Sequence, residues 1–182
     1  MNNLINFDTR FFLLLNHLPH NRLFDLVYQL LSGMGSLGII WLVLGGILFL
    51  REEKKHHWFF APIFLAGAGS YIAAEMVLKN LVARMRPSLS IGAIIVGRQS
   101  TDFSFPSGHA TIAFAMAVVL SKIEPKWKWL LYLLAIAISF SRIYLGRHFP
   151  LDILGGAVLG WVVGHFSWRF AREVNRRFKI TS

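Results

Sequence analysis

Cysteine is absent from all 182 residues of the chain. That excludes a disulfide framework, a thiolate metal site and a cysteine nucleophile, and it leaves the redox compartment open. Acidic side chains are scarce as well, with 9 Asp and Glu against 19 Lys and Arg, for a formal net charge of +10. Such an excess points to nucleic acid only when the basic residues share one soluble face. Here they sit at the ends of apolar runs, so no nucleic-acid partner is expected. The opening residues, MNNLINFDTRFFLLLNHL, lack the charged start and small-residue cleavage site of a signal peptide, and the segment is expected to be retained.

Apolar sequence, by contrast, is plentiful. Hydrophobic residues make up 55% of the chain, above the 45–50% or so of soluble domains. They gather in five runs, at residues 26–50, 58–81, 108–123, 127–143 and 151–170. Crossing the hydrocarbon core takes about 20 residues. The first two runs and the last meet that length, and the run at 108–123 is short. The connections REEKKHH and SKIEPKWK are tight and charged, as expected between antiparallel membrane helices. The predicted fold is all-α: one domain over residues 1–182, a polytopic membrane helical bundle of about five transmembrane helices.

Ahead of these runs, Phe7, Phe11, Leu14, Leu15 and Leu18 recur at helical spacing, with Asp8, Arg10 and Asn16 between them. The stretch is short and polar for a span, so it reads as an amphipathic helix lying at the interface. A sixth, poor crossing is the alternative. Residues 87–105 form a long connection with an apolar centre, IGAIIVG, which suits either a lid dipping into the lipid surface or an ordinary packed loop.

Orientation follows from the Lys and Arg on alternate sides. One side carries Arg51, Lys54, Lys55, Lys122, Lys126, Lys128, Arg169, Arg172, Arg176, Arg177 and Lys179, 11 in all. The other carries Arg10, Arg22, Lys79, Arg84, Arg86, Arg98, Arg142 and Arg147, which is 8. The richer side, with the C-terminus, is expected in the cytoplasm.

Three polar clusters then face outward: Lys79 through Arg86-Pro87, the tetrad Pro106-Ser107-Gly108-His109, and Ser141-Arg142 followed by His148 and Asp152. Singly, each has a plain explanation, since cations at helix ends snorkel, prolines mark boundaries and an acid suits a helix start. Together they make a tetrahedral-oxyanion site. The Lys79, Arg86 and Arg142 cations, the Ser107 hydroxyl and a helix start at Gly108 match phosphate. Two histidines supply acid and base chemistry near neutral pH. His148 and Asp152 are four apart, so on a helical turn the carboxylate fixes the imidazole and leaves its other nitrogen free to attack phosphorus. Carboxylates are too few on this side for a Mg²⁺ cage, so no metal or other cofactor is expected. Glu75, one turn before Lys79, reads as a partner that positions the lysine. The competing reading is a transporter, but the broken-helix repeats of that class are not visible.

The pattern K-x6-RP, PSGH and SR-x5-H-x3-D resembles that of the phosphatidic acid phosphatase type 2 superfamily, and this sequence fills every position from Lys79 to Asp152. The resemblance implies a helical bundle in which His148 is the nucleophile and forms a phosphohistidine. Asp152 would orient it, and His109 would protonate the leaving oxygen and then activate water. Lys79, Arg86, Ser107, Gly108 and Arg142 would hold the phosphoryl oxygens. It further implies a lipid-phosphate phosphatase of a bacterial inner membrane, with its pocket facing the periplasm or exterior and its substrate taken from the bilayer. Candidate substrates are undecaprenyl diphosphate, phosphatidylglycerol phosphate and the 1-phosphate of lipid A. The vanadium haloperoxidases share this pocket but resemble soluble proteins, and the five apolar runs argue against them. A phosphatase of a soluble ester is the further enzyme alternative.

Overall fold

The computed structural model describes residues 2–51, 58–98 and 100–178. Most of the REEKKHH connection, with Lys54 and Lys55, and Lys179 at the chain end lie outside the described residues. Among the described residues the long regular elements are all helical: α1 (Asn2–Asn16), α2 (Arg22–Gly35), α3 (Ile39–Arg51), α4 (Ala61–Val82), α5 (Gly108–Ile123), α6 (Lys128–Tyr144) and α7 (Pro150–Phe178).

Helix α5 is the axis of the bundle, flanked by α4, α6 and α7. Its residues from Ala110 to Ser121 are nearly all buried, as expected of a helix that is apolar all round. At 1.5 Å per residue its 16 residues span about 24 Å, short of a hydrocarbon core of about 30 Å. Helix α7 rides on it backbone to backbone: a Cβ on Gly160 would stand 2.2 Å from the Thr111 carbonyl oxygen.

The run at 26–50, expected as one unbroken span, is two helices bent by 64° through a 3₁₀ turn at Ser36–Gly38. Glycines at 33, 35 and 38 weaken the helix there, and Gly38 takes a φ of 73° that most residues avoid. By length and composition α4 and α7 can each cross a membrane, the bent α2–α3 pair together makes a third, and α5 is a shorter apolar helix. Large apolar side chains cover the outward faces, with Phe64 75% and Phe166 68% exposed. Such surface suits lipid, and the chain is a membrane protein.

Helix α1 buries Asp8, Phe12 and Asn16 and turns other side chains outward. Phe7 and Leu14 are 65% and 68% exposed, whereas Asp8 and Asn16 are 1% and 0%. Asn16 donates to the carbonyls of Ile94, Ile143 and Tyr144 and accepts the Ile94 N–H at 2.7 Å. It thereby pins the 87–105 connection to the end of α6. Phe12 joins Ala93, Ile143 and Phe149 in a small apolar cluster at the same place.

Candidate active site

Helix α4 widens into a π-helical stretch over Ile72–Leu78, a feature that often marks functional positions. Immediately after it, the buried Lys79 donates to Glu75 Oε2 at 2.7 Å and to the Asp102 carboxylate. The helix stops at Ala83, which adopts the left-handed conformation with φ 50°. The chain then doubles back with Arg84 and Arg86 over the bundle end.

Arg86 donates from NH2 to Asp102 Oδ1 at 2.9 Å, from Nε to the Asp102 carbonyl at 3.0 Å, and from NH1 to the Arg147 carbonyl at 2.7 Å. NH1 also reaches His148 Nε2 at 3.2 Å. Arg142 comes from the end of α6 and is buried, with NH1 donating to Ser32 Oγ and with Nε unpartnered among the described residues. Its carbonyl accepts the N–H groups of Arg147 and His148 at 2.9 and 3.2 Å, which folds the connecting loop back toward the cations.

Ser107 caps α5. Its backbone N–H is taken by the Asp152 carbonyl at 3.0 Å, and its buried hydroxyl has no partner among the described residues. Gly108 leaves room for its neighbour: a Cβ there would lie 2.0 Å from Glu75 Oε1, and that carboxylate would have to swing aside. The glycine read as an approach for phosphate is thus also the seat of the Glu75 carboxylate. His109, one residue on, stands 3.4 Å from Ser36 Oγ at the α2–α3 bend, within the field of the Arg142 and Arg147 cations.

His148 lies in the loop before α7 rather than on the helix, which corrects the expectation of a shared helical turn. It is almost fully buried. Since Arg86 is a donor without acceptor capacity, Nε2 must accept, and the proton of a neutral ring belongs on Nδ1. Nδ1 faces Asp152 Oδ2 at 3.6 Å and Ser104 Oγ at 3.4 Å. Burial, followed by the charges of Arg86, Arg142 and Lys79, holds this imidazole well below its ordinary pKa.

Asp152 sits at the third residue of α7 and reaches back to the Phe149 N–H at 2.8 Å, a capping-box arrangement. The same oxygen, Oδ2, accepts from Ser104 Oγ at 2.5 Å. Oδ1 accepts from Arg84 NH1 at 2.8 Å, and Arg84 NH2 continues to Asp8 at 2.5 Å.

All eight residues singled out from the sequence gather at one end of the bundle. Four others there were not singled out: Asp8, Arg84, Asp102 and Ser104. Asp102 had a faint signal, as the lone acid of an otherwise uncharged or basic connection. Burial opposes its ionisation, but the Lys79 hydrogen bond and the Arg86 and Lys79 charges overcome that and hold its carboxyl well below the usual range. Each carboxylate at this end is therefore matched by a cation. No group of three acid, His or Cys side chains with metal-holding spacing occurs among the described residues.

Residues 57–176 match the model of the PAP2 superfamily. The undecaprenyl-diphosphatase of Sulfolobus acidocaldarius is 40% identical over 89 residues, covering 47% of this chain and 43% of that protein. The lipid A 4'-phosphatase of Bacteroides thetaiotaomicron is 28% identical, covering 97% of this chain and 82% of that one. A crystal structure of a transmembrane PAP2-type phosphatidylglycerolphosphate phosphatase from Bacillus subtilis superposes with a TM-score of 0.74 over 97% of this chain and 90% of its own. At 22% identity that last likeness speaks for the fold alone.

Proposed function

The chain belongs to the PAP2 superfamily, and from that membership we propose that it hydrolyses a lipid phosphate through a phosphohistidine on His148. The observation that carries the reading is the orientation of that imidazole, with Nε2 turned to the Arg86 guanidinium and Nδ1 to Asp152.

In the first step a phosphoryl group replaces the contacts among Arg86, Lys79 and Asp102. Its oxygens take the Arg86, Lys79 and Arg142 cations and the unpartnered Ser107 hydroxyl. The Nε2 lone pair attacks phosphorus, the bond to the leaving oxygen breaks, and His109 gives that oxygen a proton. In the second step His109 takes a proton from water, the resulting hydroxide attacks the phosphohistidine, and the P–N bond breaks to return the electron pair to Nε2. The Nδ1 proton stays throughout, with the Asp152 carboxylate balancing the positive ring. The converging cations stabilise the charge of the transition state, the task a metal performs elsewhere.

In this reading α4, α5, α6, α7 and the bent α2–α3 pair cross the membrane, and α1 lies at its outer surface with Phe7 and Leu14 in lipid. The relatives' names supply the substrate class: undecaprenyl diphosphate, phosphatidylglycerol phosphate or a lipid A phosphate. The test is phosphate release by the purified protein across those lipids, in EDTA, with His148→Ala as the blank. Release on at least one lipid that persists in EDTA and vanishes in the variant is the expected result. Release that the variant retains, or that requires Mg²⁺, would sink the reading.

A further inference from the structure

We propose that Arg84 and Asp8 are positioning residues for the nucleophile, acting through Asp152 to hold the His148 proton on Nδ1. The proposal rests on His148 being the attacking residue, as read above.

Asp152 is fully buried, and both its oxygens are committed. Oδ2 has three neighbours: the Ser104 hydroxyl, the Phe149 N–H and His148 Nδ1. The other oxygen, Oδ1, is held by Arg84 NH1 at 2.8 Å. The guanidinium is itself clamped. Its NH2 donates to Asp8 Oδ2 at 2.5 Å, its face covers the Phe149 ring at 4.2 Å, and its own backbone carbonyl accepts the Ser104 N–H at 2.7 Å. Asp8 Oδ1 completes the frame by accepting the Leu151 N–H at 3.0 Å, which ties α1 to the first turn of α7.

Two buried carboxylates thus share one fork, and its geometry does what a bare positive charge would not. A guanidinium presents two parallel donors at fixed separation, so it sets direction as well as charge. Without it, Oδ1 has no partner among these groups and Asp152 takes up a proton more readily, which weakens the hold of its negative charge on the Nδ1 proton of His148. The tautomer balance then shifts toward a proton on Nε2, the nitrogen that must attack, opposed only by the Arg86 donor that faces it. Asp8 acts one step further out, by keeping Arg84 from swinging toward the Arg86 and Lys79 side. An N-terminal helix that looks peripheral is in this way wired to the chemistry.

The test uses the full chain in detergent micelles, with undecaprenyl diphosphate as the turnover probe and ¹⁵N-histidine NMR of the resting protein as a readout that needs no substrate. Arg84→Gln should lower kcat by about 100-fold, the scale of a misplaced reacting group, while KM moves by less than about threefold. Arg84→Lys should recover only part of the rate, and guanidinium added to Arg84→Ala should restore activity where ammonium does not. Asp8→Asn should lower kcat less, and the double variant with Arg84→Gln should be no slower than Arg84→Gln alone. In the spectra, His148 should carry its proton on Nδ1 in the wild type and show an Nε2–H fraction in both single variants. Wild-type kcat in Arg84→Gln, or a rate loss with an unchanged His148 signal, would overturn the proposal. A wild type that forms no base-stable phosphohistidine from labelled undecaprenyl diphosphate, phosphatidylglycerol phosphate or lipid A would instead remove the reading beneath it. The His148 signals of the variants would then still decide the positioning role.

Discussion

Asp102 closes on Arg86 with its Oδ1 2.9 Å from NH2 and its backbone carbonyl 3.0 Å from Nε, while its second oxygen takes Lys79. A carboxylate therefore occupies two of the cations expected to bind phosphoryl oxygens, and an incoming phosphate has to displace it. Asp102→Asn keeps the shape and removes the competing charge. Inorganic phosphate should then bind about tenfold more tightly, which corresponds to about 1.4 kcal/mol. The measurement is competitive inhibition by phosphate, or calorimetric titration. Unchanged or weaker binding would mean that Asp102 serves to hold Lys79 and Arg86 in place and does not compete with the substrate.

The pH response follows from His148. Burial first, and then Arg86, Arg142 and Lys79, press its pKa well below the ordinary value of 6.5. The ring proposed as nucleophile is then neutral at pH 6.5 and gives up its Nε2 lone pair to a proton only as pH falls through the lower native value. The acid limb of kcat/KM assigned to His148 should lie below pH 6.5, and the ring's NMR titration in the resting enzyme should agree. The same shift affects stability. Between the native value and 6.5 the unfolded chain binds a proton that the native state refuses, so stability declines as pH drops through that window. A His148 titration at or above 6.5 would contradict both statements.

Much of this site was legible in sequence because its residues lie close to helix ends, where a short motif fixes what faces the pocket. Pro106-Ser107-Gly108-His109 needs little more than the start of α5 to place it, and Lys79 with Arg86 needs only the end of α4. Asp8 is different. It meets Arg84 across 76 positions and Leu151 across 143, and no local period records that pairing. Its neighbours Phe7 and Phe11 mark an amphipathic helix but not which side turns inward. In lipid the usual inference reverses, since apolar residues satisfy the outside as well as the core. The break between α2 and α3 was visible only as glycines within an apolar run, which a membrane helix often tolerates. The π-helical stretch before Lys79 leaves no mark in composition at all.

Stability should be most sensitive where α7 lies on α5. A Cβ on Gly160 would meet the Thr111 carbonyl at 2.2 Å and the Ala115 nitrogen at 3.0 Å, and both are backbone atoms that cannot swing aside. Gly160→Ala should therefore destabilise the protein by about 1–3 kcal/mol, the usual cost of overpacking. Gly46, where a Cβ meets nothing within 4 Å, is the control, and Gly46→Ala should be close to neutral. Thermal unfolding in detergent compares the two. Equal midpoints would show that the α5–α7 contact can open without loss.

The absence of cysteine makes topology simple to measure, because any introduced thiol is the sole target for a labelling reagent. Leu89 lies in the connection that carries Asp102 and Ser104, and its side chain is exposed; Lys126, also exposed, is on the opposite, more basic side. From the excess of Lys and Arg, the Lys126 side is expected in the cytoplasm. Leu89→Cys should react with a membrane-impermeant maleimide in intact cells, and Lys126→Cys only after the membrane is opened. The reverse pattern would put the phosphate pocket on the cytoplasmic face. The lipid substrate would then have to be drawn from the inner leaflet.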